Sequence, residues 1–419
     1  MNRLDRRSFL GLAGRSSAAM MITGLTPHMW PQQRPPTVPT GEPPPNILLF
    51  LADSEQLHWE VLERGAVTFT QHFAAAGGAA DRACMLTGLY AHQHFCVVNG
   101  VSELQPGFPT FGEFLGQFGY ATHWFGAWPF PLLADDSDLS IYGFTAHPAA
   151  ELSAAPLAAA WLTGQPTAGD EPWCAVINLD AAASASAQVS AVMAALETAL
   201  AVMQNTVVIF TGDRCEQDAA LPQDEACRAP LIVRDFSGKL RARPGQRRQL
   251  TSHVDLAALL LTIAYGGDGW RTLHECAHLA HRLDMLAIVR DPDASGRPYV
   301  VHTADEPRRM PAAGAPAHRR GPFHAISYQT AAGRFTCRCH WRENSTAILT
   351  EGQQTTCYAL AAHARAAPVR AGAALYTQLQ QGLEEDALYA ELRAPLPYAL
   401  TPAQVEARGA YLAYLSQQG

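Results

Sequence analysis

Short continuous apolar runs alternate with stretches of helical spacing from Asn46 onward. Ile47 to Ala52, Cys174 to Leu179 and Thr206 to Phe210 have the unbroken hydrophobic character of strands buried on both faces, and Tyr120 to Trp124 reads as a further strand. Thr110 to Phe118 and Ala187 to Met203 carry apolar residues at helical spacing. Strand and helix in repeated order predict a mostly parallel sheet covered on both faces. Ligands in such sheets gather at the carboxyl ends of the strands, where Asp53 and Asp213 fall.

Beyond residue 295 the pattern changes. Pro298 to His302, His324 to Tyr328, Arg334 to Trp341 and Thr346 to Thr350 are short, turn-separated strands suited to an antiparallel sheet. Leu375 to Leu392 and Thr401 to Leu415 have amphipathic helical spacing. The expected fold class is α/β: a mostly parallel central sheet flanked by helices, with a smaller C-terminal antiparallel sheet and helices. An α/β domain is expected over residues 46–295 and an α+β subdomain over 296–419.

The first 25 residues have another character. Arg6-Arg7 precedes Phe9-Leu10 and an apolar run to Leu25, the form of a bacterial twin-arginine export signal, with an ordinary basic start before a helix as the alternative. Arg15 interrupts the run, and no small-x-small cleavage site stands before Pro27. Prolines at 27, 31, 35, 36, 39, 43, 44 and 45 make residues 26–45 an extended linker. An exported protein, periplasmic or at the cell surface, is expected, without a transmembrane segment in its mature part.

At 419 residues with 48% hydrophobic and 16% charged, the chain is neither disordered nor fibrous. A net charge of −8 removes any general reason to expect nucleic-acid binding. Nine cysteines give no disulfide framework, so buried thiols are as well supported as bridges. Lys239 is the only lysine.

The order of landmarks from Pro45 to about residue 265 resembles the sulfatase family of the alkaline phosphatase superfamily. Pro45 to Asp53 resembles its first strand and metal-binding aspartate, and Arg82-Ala-Cys-Met-Leu-Thr-Gly88 with Tyr90 and His92 resembles the helix after its nucleophile. Gly119 to Thr122 and Gly126 to Trp128 match its next strand and loop. Phe210-Thr-Gly-Asp213, Arg228 to Val233 and His253-Val-Asp255-Leu match its later landmarks.

The resemblance implies a sulfate-ester hydrolase in which an oxidised cysteine or serine opens a CxPSR stretch and a divalent cation sits on oxygen ligands. This chain departs from that pattern. With Arg82 retained, Gly78 falls at the nucleophile, Ala80 at the proline and Asp81 at the serine. The paired aspartates become Asp53-Ser54, and the aspartate followed by asparagine or histidine becomes Asp213-Arg214. The GKWH stretch reads Gly126-Ala127-Trp128-Pro129, so its lysine and histidine are lost; Asn178 leads into alanines where a further histidine is expected. Cys84 lies more than a helical turn beyond Gly78 and reads as core.

Nucleophile, ligands and charge-neutralising groups are lost together, so a protein without ester hydrolysis is expected. It would bind an anionic or sulfated small molecule, a saccharide or a protein partner through Asp53, Ser54, Asp213 and Arg214. No cofactor is expected, with calcium at Asp53 and Asp213 as the alternative. Arg214 is a candidate internal counter-ion for those two carboxylates, with an outward-facing arginine beside solvated aspartates equally supported. An active sulfuric or phosphoric ester hydrolase with another nucleophile remains open.

His274-Glu275-Cys276-Ala277-His278 matches HExxH, which on an α-helix sets two imidazoles one turn apart; the match reads mainly as an ordinary part-exposed helix, with a zinc peptidase through His274, Glu275 and His278 as the alternative. Cys337-Arg-Cys339-His340 reads as a strand with a metal-like fragment. His92 and His94, the acidic Asp135, Asp136 and Asp138, and the basic Arg241, Arg243, Arg247 and Arg248 read mainly as structural or solvated, with calcium or an anionic partner as alternatives for the charged runs.

Overall fold

The computed structural model describes residues 43–52, 59–94, 96, 104–130, 138–147, 153–165, 171–181, 183–212, 228–297 and 299–304, with backbone alone for 323–330, 333–340, 356–360 and 367–368. All of these fall in the compact unit Val38–Gly419. The expected leader lies outside the described residues, as do most of the expected linker and the two expected C-terminal helices.

The strands in chain order are β1 (Asn46–Ala52), β2 (Val67–Phe69), β3 (His72–Phe73), β4 (Ala121–Phe125), β5 (Thr145–His147), β6 (Trp173–Asn178), β7 (Thr206–Gly212), β8 (Leu231–Asp235), β9 (Gly245–Arg247) and β10 (Thr251–Ser252). Eight form one sheet in the order β5-β4-β6-β1-β7-β8-β2-β9. The run from β5 to β7 is parallel, and β8 reverses direction against both β7 and β2. The sheet is therefore mostly parallel, as its apolar runs require.

β1 explains how this sheet is buried on both faces. All seven of its residues are buried. Ile47, Leu49 and Leu51 enter one core, and Leu48, Phe50 and Ala52 enter the other. Alternation along the strand thus feeds two layers, each large side chain contributing about 1.5–3 kcal/mol by leaving water.

The helices that position the site are α1 (Gly78–Thr87), α2 (Phe111–Gln117), α3 (Ala154–Thr163), α4 (Ala185–Thr198), α5 (Leu200–Met203) and α6 (Leu256–Tyr265). Thr110 and Glu113 close a capping box at the start of α2, satisfying two end amides reciprocally. The single helix expected from Ala187 to Met203 is two. At Ala199 the backbone leaves the helical region, with ψ at 59°, and α5 restarts after it.

A five-stranded antiparallel sheet follows: β11 (Tyr299–Ala304), β12 (Phe323–Thr330), β13 (Gly333–His340), β14 (Thr356–Leu360) and β15 (Ala367–Pro368). Three of the four expected strands are present. The fourth, at 346–350, lies outside the described residues, and the strand paired to β13 is β14. Among the described residues no helix is long and apolar enough to cross a membrane.

Candidate functional site

The carboxyl ends of β6 and β7 are tied to α1, through Asn178 to Arg82 and through Thr211 and His253 to Asp81. β1 and β7 run in register up to Ala52 opposite Gly212, one residue short of Asp53 and Asp213. Asp53, Ser54, Asp213 and Arg214 lie outside the described residues. Their chemistry can still be set against a cation. A hard divalent ion takes six to eight oxygens, whereas this set offers two carboxylates and one neutral hydroxyl beside a guanidinium that can only donate. The residues do not fit the family's metal.

Gly78 is the first residue of α1, where the resemblance puts the nucleophile. Its φ is +53°, a left-handed conformation that costs an L-residue roughly 1–2 kcal/mol. The position holds a backbone suited to a residue without a side chain. The preceding Gly77 caps the helix without a side-chain bond, and residues 77–79 are part-exposed.

Asp81, at the family's serine position, is fully buried and folds back over the loop before the helix. Its Oδ1 accepts the amides of Ala75 at 2.8 Å and Ala76 at 3.2 Å, while Oδ2 lies 2.6 Å from His253 Nδ1. The Thr211 hydroxyl gives its one proton to the Pro230 carbonyl at 2.8 Å. Its oxygen therefore accepts from His253 Nε2, also 2.8 Å away, a proton assignment that follows from this network. One chain of bonds thus ties the nucleophile loop to the end of β7. His72 stands edge-on to His253, with ring centres 4.7 Å apart, and its Nδ1 lies 2.9 Å from Thr251 Oγ1. Burial first, then the neighbouring His253, holds the pKa of His72 well below the usual histidine value, so this ring is neutral.

Arg82 is buried, and its guanidinium donates to Asn178 Oδ1 at the end of β6. Asn178 Nδ2 in turn donates to the Ala127 carbonyl at 2.7 Å. Ala127 thus contributes a backbone acceptor and an exposed methyl group. Trp128 beside it is buried against Trp124, with centroids 4.9 Å apart, and Pro129 is part-exposed. Lys239 cannot supply the missing charge. Its ammonium donates to the Pro43 carbonyl and to Asn205 Oδ1, each at 2.6 Å, beside the amino ends of β1 and β7.

Cys84 offers no replacement nucleophile. It is buried, and burial, followed by the charge of Asp81, pushes its thiol pKa well above the usual value. Its neighbour His94 is 3.3 Å away through Nε2, but His94 Nδ1 accepts the Cys96 amide at 3.1 Å. The ring proton therefore belongs on Nε2, pointing at sulfur, so this imidazole donates to the thiol and is not its base.

The HExxH expectation is corrected. His274–Leu279 is a 3₁₀ helix, in which three residues make a turn and residues four apart point about 120° away from each other. His274 is exposed, whereas His278 is buried 6.0 Å from the Phe114 ring, centroid to centroid. Burial lowers the His278 pKa to about 3. His274 and His278 thus do not share a face, and the zinc-peptidase pairing fails on geometry. Arg247 is also corrected: it is buried, donating to the carbonyls of Ile288 at 2.6 Å, Arg243 at 2.6 Å and Val289 at 3.1 Å. Arg241, Arg243 and Arg248 are exposed. Asp138 is an exposed turn residue accepting the Ser140 amide, and Asp135 and Asp136 lie outside the described residues, as does the His92 side chain.

Residues 41–151 match the family model described as Sulfatase. The fold is sulfatase-like. A Bacteroides thetaiotaomicron 4S-sulf protein, described with metabolism of multiple glycosaminoglycans, superposes with a TM-score of 0.60 at 15% identity, over 85% of this chain and 100% of its own. The phosphonate monoester hydrolase of Silicibacter pomeroyi gives 0.52 at 15% identity, over 82% and 96%. A structure in complex with its substrate D-glucosamine-2-N,6-O-disulfate gives 0.51 at 12% identity, over 90% and 99%. At these identities the likeness concerns the fold. No curated protein sequence matches this sulfatase-like chain.

Sequence reasoning placed Asp53 and Asp213 at the sheet's carboxyl edge, and both lie outside the described residues; of the other site positions the structure joins Arg82, Asn178 and Ala127 by hydrogen bonds. Sequence reasoning missed the Asp81–His253–Thr211 chain. His253-Val-Asp255 was legible as a landmark, but nothing in its spacing reveals a partner 172 positions earlier.

Proposed function

We propose that this is an exported sulfatase-like protein that no longer hydrolyses sulfate esters and instead binds an anionic ligand, a sulfated saccharide being the favoured class. The observation that carries this reading is Gly78, which heads α1 at φ +53° with no atom to attack or be oxidised. The loss of the lysine and histidine at Ala127 and Pro129 supports it, because two groups that would neutralise a sulfate are missing together. Binding is supported by what stays: Arg82, fixed by Asn178, beside the start of a ten-residue helix whose amide dipoles favour an anion. Twin-arginine export rests on Arg6-Arg7 alone.

The test is a turnover assay of the purified full chain on aryl sulfate and aryl phosphate, with and without calcium, beside thermal shifts with D-glucosamine-2-N,6-O-disulfate. No turnover is expected, with a ligand-dependent rise in melting temperature that Asn178→Ala reduces. Turnover that disappears in Asp213→Ala would refute the proposal. In the same protein, Arg214→Ala lowers the melting temperature if Arg214 is the counter-ion of the two aspartates, and added calcium restores it; an unchanged melting curve excludes that role.

A further inference from the structure

The open edge of the central sheet carries two imidazoles that the anion site does not use. β5 is the outermost strand of the sheet, three residues long, and is joined to it through β4. Phe125 pairs with His147 and His123 with Thr145, so both histidines stand on the same face of the sheet. His123 Nδ1 lies 3.1 Å from His147 Nε2. His147 stacks on Phe125 with centroids 4.2 Å apart and planes 8° from parallel, and Trp161 of α3 lies 4.8 Å from the His123 ring. Both rings are thus held in place while remaining part-exposed.

We propose that His123 Nδ1 and His147 Nε2 form a site for a divalent transition-metal ion of the copper(II) or zinc(II) class, which clamps β5 to β4. Imidazole nitrogens bind such ions at about 2.0–2.1 Å, so two neighbouring ligands stand roughly 2.9–3.4 Å apart between right-angle and tetrahedral arrangements. The observed separation lies inside that interval. A neutral imidazole offers one ring-nitrogen lone pair to such an ion. Among the described residues no carboxylate contacts either ring, which disfavours calcium or magnesium.

Binding replaces the hydrogen bond between the rings. Each imidazole keeps one proton, carried on the nitrogen turned away from the metal, and the remaining ligands are water. No proton is released and no redox step is involved. Two neutral ligands imply modest affinity, with copper(II) tighter than zinc(II). The site is independent of the anion-binding proposal.

The experiment adds one equivalent of copper(II) chloride to the metal-stripped full chain and records its electron paramagnetic resonance spectrum and melting curve. Splitting from two imidazole nitrogens is expected at one equivalent, and a melting temperature raised by several degrees once further copper(II) is added in excess. His123→Asn and His147→Asn should each abolish the two-nitrogen signal, and the double variant Asp53→Asn, Asp213→Asn should keep it. A signal that survives both histidine substitutions, or that vanishes only with the aspartates, overturns the site. Should a histidine variant fail to fold, a wild-type spectrum without two equivalent nitrogens decides against the proposal by itself.

Discussion

His253 Nδ1 lies 2.6 Å from Asp81 Oδ2, and both side chains are completely buried. The same carboxylate holds the amides of Ala75 and Ala76, so one residue fixes both the approach to α1 and its attachment to β7. Removing it leaves two amides and an imidazole donor without their acceptor. Asp81→Ala is expected to cost about 3–5 kcal/mol in urea denaturation. Asp81→Asn should cost less, because its carbonyl oxygen still accepts an amide. An unchanged denaturation midpoint in Asp81→Ala would show that the chain of bonds contributes nothing.

Acid should destabilise the fold above the pH range in which exposed carboxylates titrate. His72, His123 and His278 all have pKa values lowered by burial, the last two to about 4 and about 3. Below about pH 6.5 the unfolded chain takes up protons that these folded rings refuse, so their stabilisation is present above that pH and is lost as pH falls. Glu113 acts oppositely: burial raises its pKa to about 7, so its contribution weakens as pH rises from 4.5 to 7. Three histidines outweigh one glutamate. Unfolding free energy should fall on acidification from pH 6.5 to 4.5, by about 1.4 kcal/mol per pH unit for each of the buried rings His72 and His278 and by less for the part-exposed His123. A flat profile over that range would contradict the burial of these rings.

Gly126 cannot carry a side chain. Its φ is +95°, and a Cβ there would stand 2.5 Å from the Asn178 carbonyl oxygen and 2.9 Å from Ala154 Cβ. Gly126→Ala is expected to lose about 2–4 kcal/mol, from left-handed strain plus overpacking. It should also displace Asn178 from the Ala127 carbonyl and so weaken the ligand-dependent thermal shift. Retention of both stability and the shift would show that β4 and β6 are not held as close as described.

Cys84, Cys96, Cys174 and Cys276 are buried thiols. Burial pushes the pKa of Cys276 up to about 12 and that of Cys84 well above its usual value, so neither is a thiolate at pH 8. Iodoacetamide should label none of the four until denaturant is added. Rapid native labelling of Cys84 in peptide mass spectra would reopen it as a nucleophile.

Much of the architecture was legible in the residues because burial on both faces demands unbroken apolar runs. Ile47 to Ala52 could hardly be anything but a central strand, and Thr110 to Phe118 carried the spacing of a helix. The break at Ala199 was not legible, since alanine favours the helix it interrupts. The HExxH spacing carries chemistry only on a helix of the assumed pitch, and a 3₁₀ turn sends His274 and His278 to different faces.

The sequence by itself determined which atoms exist: no side chain at Gly78, no lysine near the sheet's carboxyl edge, an alanine and a proline where a lysine and a histidine belong to the family. No folding could restore them. Only the tertiary structure decided which distant groups meet, as Asp81 meets His253 and His123 meets His147. Those encounters depend on strand order and on which face each residue occupies, and local spacing does not encode either.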